Sequence, residues 1–529
     1  MRNSFFAILA LVLLSLAESA PAAAEPAAVT IRADRKITTV NPLLYGQFIE
    51  HLGKCIKDGL WTPDDKKNEL VLGGVRKELF DAMREMNIPL LRWPGGCFSD
   101  GYHWKDGIGP RARRPARKNL AWARGDENSP TAPVDDNAFG TDEFLRLCEA
   151  LGIEPLINVN LGSGTPEEAR QWVEYANGAG DTEYGALRAA NGHPEPYGVK
   201  YWGVGNEIWG DYEIGHTLSG VVYGERFLEF AREMRRAGPG IKLLAVGSSP
   251  AMTEWNRQVL QTAGREIDHL SLHVYYPGFS LVKTWEKNRK WEYYGIMAAA
   301  RDLGETIDSV DARIGEYAPD ARLALDEWNL WWNEQQIVRA EDYTFPAALF
   351  TADVLMQLLR RGDRVAYANF AQLVNVLAVI VSDPEKGVYM APAYYPFKLF
   401  SNEIKDGDVL ETNVRCDTFS NHEYGLVKPS RGNPYLQALA TRDAAGVLKL
   451  VVINKHIAED ITAEITVEGA APPAACSAKL ISAPSPFALN TFDAPDALPG
   501  ITDHPCPAPE AGRLVYSFPK HSISLLAFR

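Results

Sequence analysis

The chain has 529 residues, which is too long for one ordinary domain but suits a barrel with insertions plus one smaller domain. Its formal net charge of −14 excludes nucleic acid and anionic lipid as natural partners, because an acidic surface repels both. Six cysteines without CxxC spacing argue against a zinc site or a disulfide framework. A single bond between Cys476 and Cys506 stays open, since both lie in Pro-rich segments near the C-terminus.

The first 24 residues predict a secretory signal peptide. A short basic start precedes an apolar run over residues 5–16, and small residues lead to an Ala-x-Ala exit that ends at Ala24. The run is shorter than the roughly 20 residues that a membrane span needs. We therefore expect cleavage after Ala24, no membrane anchor, and a secreted or periplasmic protein.

Eight short apolar runs follow and alternate with amphipathic helical patterns. Residues 141–152 illustrate the helices, with a Thr cap, an acidic first turn, apolar residues at 3–4 spacing and a Gly stop. Strands that are covered on both faces are apolar throughout, as most of these runs are. The series predicts an α/β fold, a (β/α)8 TIM barrel over residues 41–404. The expected strands are residues 43–49, 89–93, 154–160, 199–205, 242–247, 269–275, 322–326 and 365–371.

After residue 404 the helical periodicity ends. Short alternating strands separated by Gly, Pro and Asp turns predict an antiparallel β-sandwich over residues 405–529. Residues 25–40 precede the barrel and contain a short strand at 28–31. We expect that strand to pair with the sandwich across the length of the chain.

Two barrel strands are predicted to end in a glutamate among tryptophans. Glu207 lies between Trp202 and Trp209 on the fourth strand, and Glu327 precedes Trp328 on the seventh. Catalytic groups of such barrels stand at these strand ends, and glycosidic cleavage needs a pair of carboxyl groups, about 5–5.5 Å apart in a retaining enzyme. Either glutamate alone would more simply be a solvated residue, but the pair indicates a glycosidase. We expect the neighbouring indoles to raise the pKa of the acid by excluding water.

Five segments resemble glycoside hydrolase family 51, the α-L-arabinofuranosidases. The two catalytic motifs are matched by WGVGNEIWG at 202–210 and LDEWNLW at 325–331, and the segments at 92–104, 45–51 and 371–375 also match. The resemblance spans the barrel, whereas beyond it only the domain type agrees. It implies a retaining, exo-acting α-L-arabinofuranosidase that releases terminal arabinofuranosyl units from arabinoxylan, arabinan and related plant oligosaccharides.

The same resemblance implies a role for each residue of the site. Glu207 is the acid/base and Glu327 the nucleophile, Asn206 bonds the sugar 2-hydroxyl, and Tyr275 supports the nucleophile. The further sugar contacts and pocket walls are Glu50, Cys97, Trp104, Trp331 and Gln372. No metal or organic cofactor is implied, and the family contains both oligomers and monomers, so a homo-oligomer is left open.

Cys97 departs from the pattern, because intracellular bacterial members of the family often have an arabinose-binding Asn at this position. A thiol is a weaker hydrogen-bond partner, so Cys97 is either a sugar contact or a buried space-filler. His273 likewise either orients the nucleophile or is a satisfied rim histidine.

Two other functions compete with the arabinofuranosidase. An endo-β-1,4-glucanase or xylanase can use the same glutamate pair, and the path of the insertions at 99–134 and 278–291 decides between a closed pocket and an open cleft. A non-catalytic carbohydrate-binding protein is the alternative from another class. It would be expected to lack one glutamate, and neither is missing here.

Overall fold

The computed structural model describes residues 26–122, 132–248, 253–278, 289–331, 343–510 and 512–529. The predicted signal peptide lies outside these residues, as do parts of both predicted insertions. Within the described ranges, every helix is too short or too polar to cross a bilayer.

Eight parallel strands close into a barrel in chain order, which confirms the predicted fold. The eighth strand pairs with the first and completes the ring. Nearly all strand residues are buried, because helices cover the outer face while side chains fill the interior. The strands are Gly46–Phe48, Leu90–Trp93, Glu154–Val159, Tyr201–Val204, Lys242–Ala245, His269–Pro277, Arg322–Trp331 and Val365–Ala371.

The first and seventh strands differ from their predicted bounds. The first is shorter because Pro42–Tyr45 forms a 3-10 turn, in which the Asn41 side chain accepts a hydrogen bond from the Leu43 N–H. The seventh, Arg322–Trp331, runs several residues further than predicted. Glu327 therefore lies within a hydrogen-bonded strand and not in the loop after it.

An apolar layer fills the lower part of the barrel. Above it, toward the carboxyl ends of the strands, the inward-facing residues become polar, beginning with Arg92, Asn158 and Asn369, all of which are buried. The polar site therefore lies directly above a packed apolar layer, which we call the apolar floor, as is usual in barrel enzymes. The floor consists of Leu90, Leu156, Tyr201, Leu244, Ala324, Ala366 and Tyr367.

Each barrel strand is followed by at least one helix. The predicted helix at 141–152 is Thr141–Leu151, and Gly152 ends it with a φ of 68°. Its first residue is not the cap, however: Gly140 is, and the Glu143 carboxylate accepts the Gly140 N–H. The helices are Lys77–Met86, Thr141–Leu151, Pro166–Asn177, Glu183–Ala190, Gly220–Ala237, Thr253–Ala263, Arg289–Tyr317, Pro346–Leu359 and Tyr394–Glu403.

The C-terminal part forms a nine-stranded sheet that curls around its own apolar core. Ala27–Thr39, from before the barrel, lies inside this sheet. It pairs in parallel with Ile461–Glu468, so the sheet departs from the predicted antiparallel pattern at this one pairing. In spatial order the strands are Ile501–His504, Cys476–Ile481, Ser522–Phe528, Leu448–Asn454, Leu436–Arg442, Asp408–Arg415, Ala27–Thr39, Ile461–Glu468 and Arg513–Phe518.

Short two-stranded sheets and 3-10 helices such as Cys97–Gly101 and Trp104–Gly107 accompany these elements. The two-stranded sheets are Leu70–Val71 with Val75–Arg76, Arg117–Lys118 with Val134–Asp135, Ile380–Asp383 with Gly387–Met390, and Thr418–Asn421 with Ser430–Pro434. A disulfide joins Cys476 to Cys506, as the sequence left open.

The barrel and the C-terminal sheet share a buried interface. In the strand Leu448–Asn454, Leu450 faces the sheet's own core whereas Val451 belongs to the barrel core. Next along the chain, Lys455 forms a buried ion pair of 2.5 Å with Asp353 of the helix Pro346–Leu359. Both faces of the central strands are therefore buried, which fixes the sheet against the barrel.

Candidate active site

Glu207 and Glu327 meet above the apolar floor. One carboxylate oxygen from each lies within 4.8 Å of the other, and both lie within that distance of a ring nitrogen of His273. The separation suits a retaining glycosidase, since inverting enzymes hold their carboxyl groups about 6.5–9.5 Å apart to admit a water. The structure thus brings together the two glutamates that the sequence singled out.

Glu327 accepts a hydrogen bond at each of its two carboxylate oxygens. Arg92 Nη1 donates to Oε1 at 2.5 Å, and the Tyr275 hydroxyl donates to Oε2 at 2.7 Å. Arg92 is itself buried, with its guanidinium 4.6 Å from the centre of the Phe48 ring. Charge-assisted hydrogen bonds of this kind fix a carboxylate strongly. Tyr275, which the resemblance assigns to the support of the nucleophile, thus contacts the Glu327 carboxylate directly.

Glu207 has different partners and a constrained backbone. Its φ is +37°, in the left-handed region that side chains other than glycine rarely adopt. His273 Nδ1 lies 2.7 Å from Oε1, and the Tyr212 hydroxyl donates to Oε2 at 2.7 Å. Burial would raise the pKa of Glu207, but the hydrogen bonds and charge of His273, together with Tyr212, lower that pKa below its ordinary value.

The expectation that the neighbouring indoles raise the pKa of Glu207 is therefore wrong. Trp202 is fully buried and donates its indole N–H to the Val199 carbonyl at 3.1 Å. Trp209 donates to the Gly247 carbonyl at 3.1 Å. Both rings are thus held by backbone carbonyls just outside the barrel strands, while the sixth-strand residue His273 contacts the carboxylate and lowers its pKa.

His273 connects the two glutamates and a buried aspartate. Its Nδ1 lies 3.4 Å from Glu327 Oε2, and its Nε2 lies 3.4 Å from Asp326 Oδ1. Burial alone would lower the pKa of His273, but the carboxylates of Glu327, Asp326 and Glu207 raise it well above its ordinary value. Between the two readings of this residue, the contacts therefore favour a protonated histidine that orients both carboxylates.

Glu50 and Gln372 meet beside Glu327. Gln372 Nε2 donates to Glu50 Oε2 at 3.0 Å, and the Phe98 N–H donates to Oε1 at 3.2 Å. Burial, and then the charge of Glu327, raise the pKa of Glu50 to about 8. A Cβ at Gly96 would lie 2.9 Å from Glu50 Oε1, so a larger residue at this position would press on the Glu50 carboxylate.

Asn206 is engaged at both ends of its amide. Its oxygen accepts from Arg92 Nη2 at 2.8 Å, and its nitrogen donates to Glu213 Oε1 at 2.9 Å. Asp100 Oδ2 accepts the Asn206 backbone N–H at 2.8 Å. The strand end that carries Asn206 and Glu207 is therefore anchored on the side-chain and the main-chain side.

Cys97 and Trp331 also lie at this site. Cys97 Sγ is within 4.8 Å of carboxylate oxygens of Glu207 and Glu213. Burial raises the pKa of the Cys97 thiol well above its ordinary value, so it stays protonated. Trp331 packs edge-on against Tyr275, with ring centres 5.4 Å apart.

Trp104 does not wall the pocket, and that prediction is wrong. Its side chain is 1% exposed and stacks on Trp172 at 6.0 Å, with an interplanar angle of 8°. Its indole N–H donates to the Glu168 carbonyl at 3.0 Å. The helix Pro166–Asn177 presents Trp172 and Tyr175 to this ring and so draws it into the core.

Among the residues that the structure describes, two sets of side chains could reach a metal ion. Cys97, Glu207 and Glu213 form one, and Glu207, His273 and Glu327 form the other, each with ligand atoms within 4.8 Å. Both sets share the acid/base candidate. Hydrogen bonds within the protein account for the positions of all three carboxylates.

The chain matches two family models and several characterised proteins. Residues 82–292 match the alpha-L-arabinofuranosidase 1 domain, and residues 326–522 match the alpha-L-arabinofuranosidase C-terminal domain. A probable alpha-L-arabinofuranosidase C of Aspergillus clavatus is 33% identical over 96% of this chain and 98% of the relative. An intracellular exo-alpha-L-arabinofuranosidase of Bacteroides ovatus is 33% identical over 84% of each chain.

Among solved structures, an alpha-L-arabinofuranosidase of Thermotoga maritima in complex with arabinose has a TM-score of 0.83 and 32% identity, covering 95% of this chain and 99% of that one. The chain belongs to glycoside hydrolase family 51. It is an α-L-arabinofuranosidase, as the five motifs indicated.

Several polar residues of this arabinofuranosidase site were missed from the sequence. Arg92 and Asp326 lie inside the quoted motifs, and a charged residue within an apolar strand was the signal that could have revealed them. Asp100 accepts backbone N–H groups from two separate segments, and burial raises its pKa to about 7. Tyr212 and Glu213 lie in a loop without any pattern that marks them in advance.

Proposed function

We propose that the enzyme releases terminal non-reducing α-L-arabinofuranosyl units by double displacement, with Glu327 as nucleophile and Glu207 as acid/base. The observation that carries this assignment is the pair of carboxylate oxygens within 4.8 Å, Glu327 hydrogen-bonded by Arg92 and Tyr275 and Glu207 in the closer contact with His273. A fixed carboxylate suits attack on carbon, whereas proton transfer needs a partner that can exchange protons.

The first step forms a covalent glycosyl-enzyme. A Glu327 oxygen attacks the anomeric carbon while Glu207 protonates the leaving oxygen, and the glycosidic bond breaks. His273 Nδ1, 2.7 Å from Glu207, is the nearest proton source. When a sugar excludes water from the site, desolvation favours the neutral carboxyl, so the proton moves from Nδ1 to Oε1 before it passes to the leaving group.

The second step reverses these roles. Glu207 takes a proton from water, the water oxygen attacks the anomeric carbon, and Glu327 leaves as a carboxylate. The proton then returns from Glu207 to His273. Asn206, through a hydrogen bond to the sugar 2-hydroxyl, stabilises the charge that develops on the ring in both steps.

Arabinoxylan and arabinan side chains are the proposed substrates, attacked from their ends. Glu50, Gln372, Cys97 and Asn206 crowd around the two catalytic carboxylates, which supports a pocket for one sugar more than a cleft for a long chain. The test compares para-nitrophenyl α-L-arabinofuranoside and arabinoxylan with carboxymethyl cellulose and unsubstituted xylan. Release of arabinose alone supports the proposal, and activity confined to the cellulose or xylan backbone rejects it.

We also propose that the enzyme is exported after cleavage behind Ala24. The sequence of residues 1–24 supports this, as does the Cys476–Cys506 disulfide, because such bonds persist in oxidising compartments. The compartment does not follow from the family, since the Bacteroides ovatus relative is described as intracellular. Mass spectrometry of the enzyme from its natural host should give an N-terminus at Glu25. An intact Met1 on the active enzyme would overturn the proposal.

A further inference from the structure

Glu213 is a buried acid with no part in the reaction described above. It lies six residues after Glu207, in the loop that leaves the fourth barrel strand, and only 4% of its surface is exposed. Its Oε1 accepts a hydrogen bond from Asn206 Nδ2 at 2.9 Å. The side chain thus touches the residue that is proposed to bind the sugar 2-hydroxyl.

The contact completes a continuous chain of hydrogen bonds from the nucleophile. Arg92 donates through Nη1 to Glu327 and through Nη2 to the Asn206 oxygen, and the Asn206 nitrogen donates to Glu213. An amide can turn over and exchange its oxygen and nitrogen. Here Arg92 can only donate, so the amide oxygen must face it, and the amide nitrogen is then turned toward Glu213 Oε1, which accepts its hydrogen bond.

The surroundings keep the Glu213 carboxyl neutral. Burial raises its pKa well above the ordinary value, and the charges of Asp100 and Glu207 raise it further. Cys97 Sγ and a Glu207 oxygen both lie within 4.8 Å. A neutral carboxyl still accepts from Asn206, but it adds no negative charge beside the acid/base.

The loop does not depend on the Glu213 side chain for its path. The Glu213 N–H bonds the Gly210 carbonyl at 3.1 Å, and the Thr217 N–H bonds the Ile208 carbonyl at 2.8 Å. Removal of the Glu213 carboxyl should therefore leave the loop backbone in place, while the Asn206 amide nitrogen loses this hydrogen-bond partner.

We propose that Glu213 is a positioning residue that turns the Asn206 amide so that its second N–H faces the 2-hydroxyl of the bound sugar. Glu213 thereby sets the preference of the enzyme for sugars that carry this hydroxyl. The inference rests on the proposed function of Asn206, and it extends the site by one residue that acts without touching the substrate.

The experiment measures kcat and KM on para-nitrophenyl α-L-arabinofuranoside and on its 2-deoxy analogue. Glu213→Ala should lower kcat/KM for the arabinofuranoside by about tenfold or more, mostly in kcat, because the 2-hydroxyl bond strengthens at the transition state. The loss on the 2-deoxy analogue should be less than about twofold. Glu213→Gln, whose amide oxygen still accepts from Asn206, should restore most of the activity.

A double-mutant cycle and a matched control complete the test. Glu213→Ala should have no further effect in an Asn206→Ala background, because the two residues act through one contact. Asp211→Ala, which removes an exposed acid from the same loop, should behave as the wild type. Equal losses on both substrates, or additive losses in the double variant, would show a merely structural role and overturn the inference.

Failure of the inference is distinguishable from failure of the proposed function. If the wild-type enzyme does not hydrolyse the arabinofuranoside, the proposed function falls first. If it does, and Asn206→Ala discriminates between the two substrates while Glu213→Ala does not, only the inference about Glu213 is wrong.

Discussion

The fourth and seventh barrel strands each position a glutamate at the site, Glu207 just beyond its strand and Glu327 within its strand, but the two carboxylates are held by different chemistry. Glu327 receives hydrogen bonds from Arg92 and Tyr275, neither of which gives up its proton near neutral pH. Glu207 is bonded to His273, and imidazole is the side chain that exchanges protons most readily in that range. The difference indicates that the two roles are set by what surrounds each carboxyl and not by the carboxyl itself.

Substitution of Glu327, on the seventh strand, should cause the largest loss of activity. Glu327→Ala removes the only group proposed to form the covalent intermediate, so turnover of every glycoside should fall by a factor on the order of 10⁴ or more. Initial rates on activated and unactivated arabinofuranosides measure it. The loss should be the same for both, because neither leaving group can replace the nucleophile. A variant that keeps activity on the activated substrate would assign the nucleophile elsewhere.

Substitution of Glu207, which follows the fourth strand, should cause a loss of activity that depends on the leaving group of the substrate. Glu207→Ala should slow arabino-oligosaccharides about 10²–10⁴-fold, because their leaving oxygen needs a proton, and aryl arabinofuranosides much less. Azide can then attack the intermediate without a general base, so added azide should restore the rate on the aryl substrate. Asp211→Ala is the control. Equal losses on both substrate types, with no response to azide, would remove Glu207 from this role.

A His273 variant distinguishes two roles for this histidine, which either supplies a proton to Glu207 or is only a fixed positive charge beside it. If His273 supplies the proton, activity falls at high pH when the proton shared by His273 and Glu207 is lost. This alkaline limb of the kcat/KM profile then lies near the raised pKa of the histidine. His273→Gln should then move the limb to lower pH, since Glu207 must hold its proton alone. If His273 is only a static positive charge, its loss raises the pKa of Glu207 and moves the limb to higher pH.

His269→Gln is a matched control for this pH profile. His269 lies on the same strand, and burial lowers its pKa to about 4, but its ring packs against Tyr201 and Tyr367 in the apolar floor. The substitution should leave the alkaline limb unchanged. A shift in both variants would point to a change in the strand and not to proton supply.

Local patterns predicted the barrel and the glutamate pair well, because each depends on a short segment. Apolar runs such as 365–371 mark strands that are buried on both faces, and the residues at 202–210 carry the acid/base motif whole. The 3-10 turn Pro42–Tyr45 shortens the first strand, and the apolar pattern of residues 43–49 did not predict this turn.

Predictions failed where distant segments decide the outcome. Trp104 enters the core because Trp172, far along the chain, stacks on it. The pKa of Glu207 falls because His273, on a strand two places further round the barrel, reaches it. Such contacts depend on the closed barrel, and no spacing within one segment encodes them.

Substitution of Cys97, which lies beside Glu207, should produce the smallest change in activity. Its thiol stays protonated beside Glu213 and Glu207, and a thiol is a weak hydrogen-bond partner. Cys97→Ala should therefore change kcat/KM for para-nitrophenyl α-L-arabinofuranoside by less than about threefold. Cys148→Ala, which removes a buried thiol from the helix Thr141–Leu151, is the control for general loss of packing. A drop greater than about tenfold at Cys97 alone would make the thiol a sugar contact, and the space-filling reading would then be wrong.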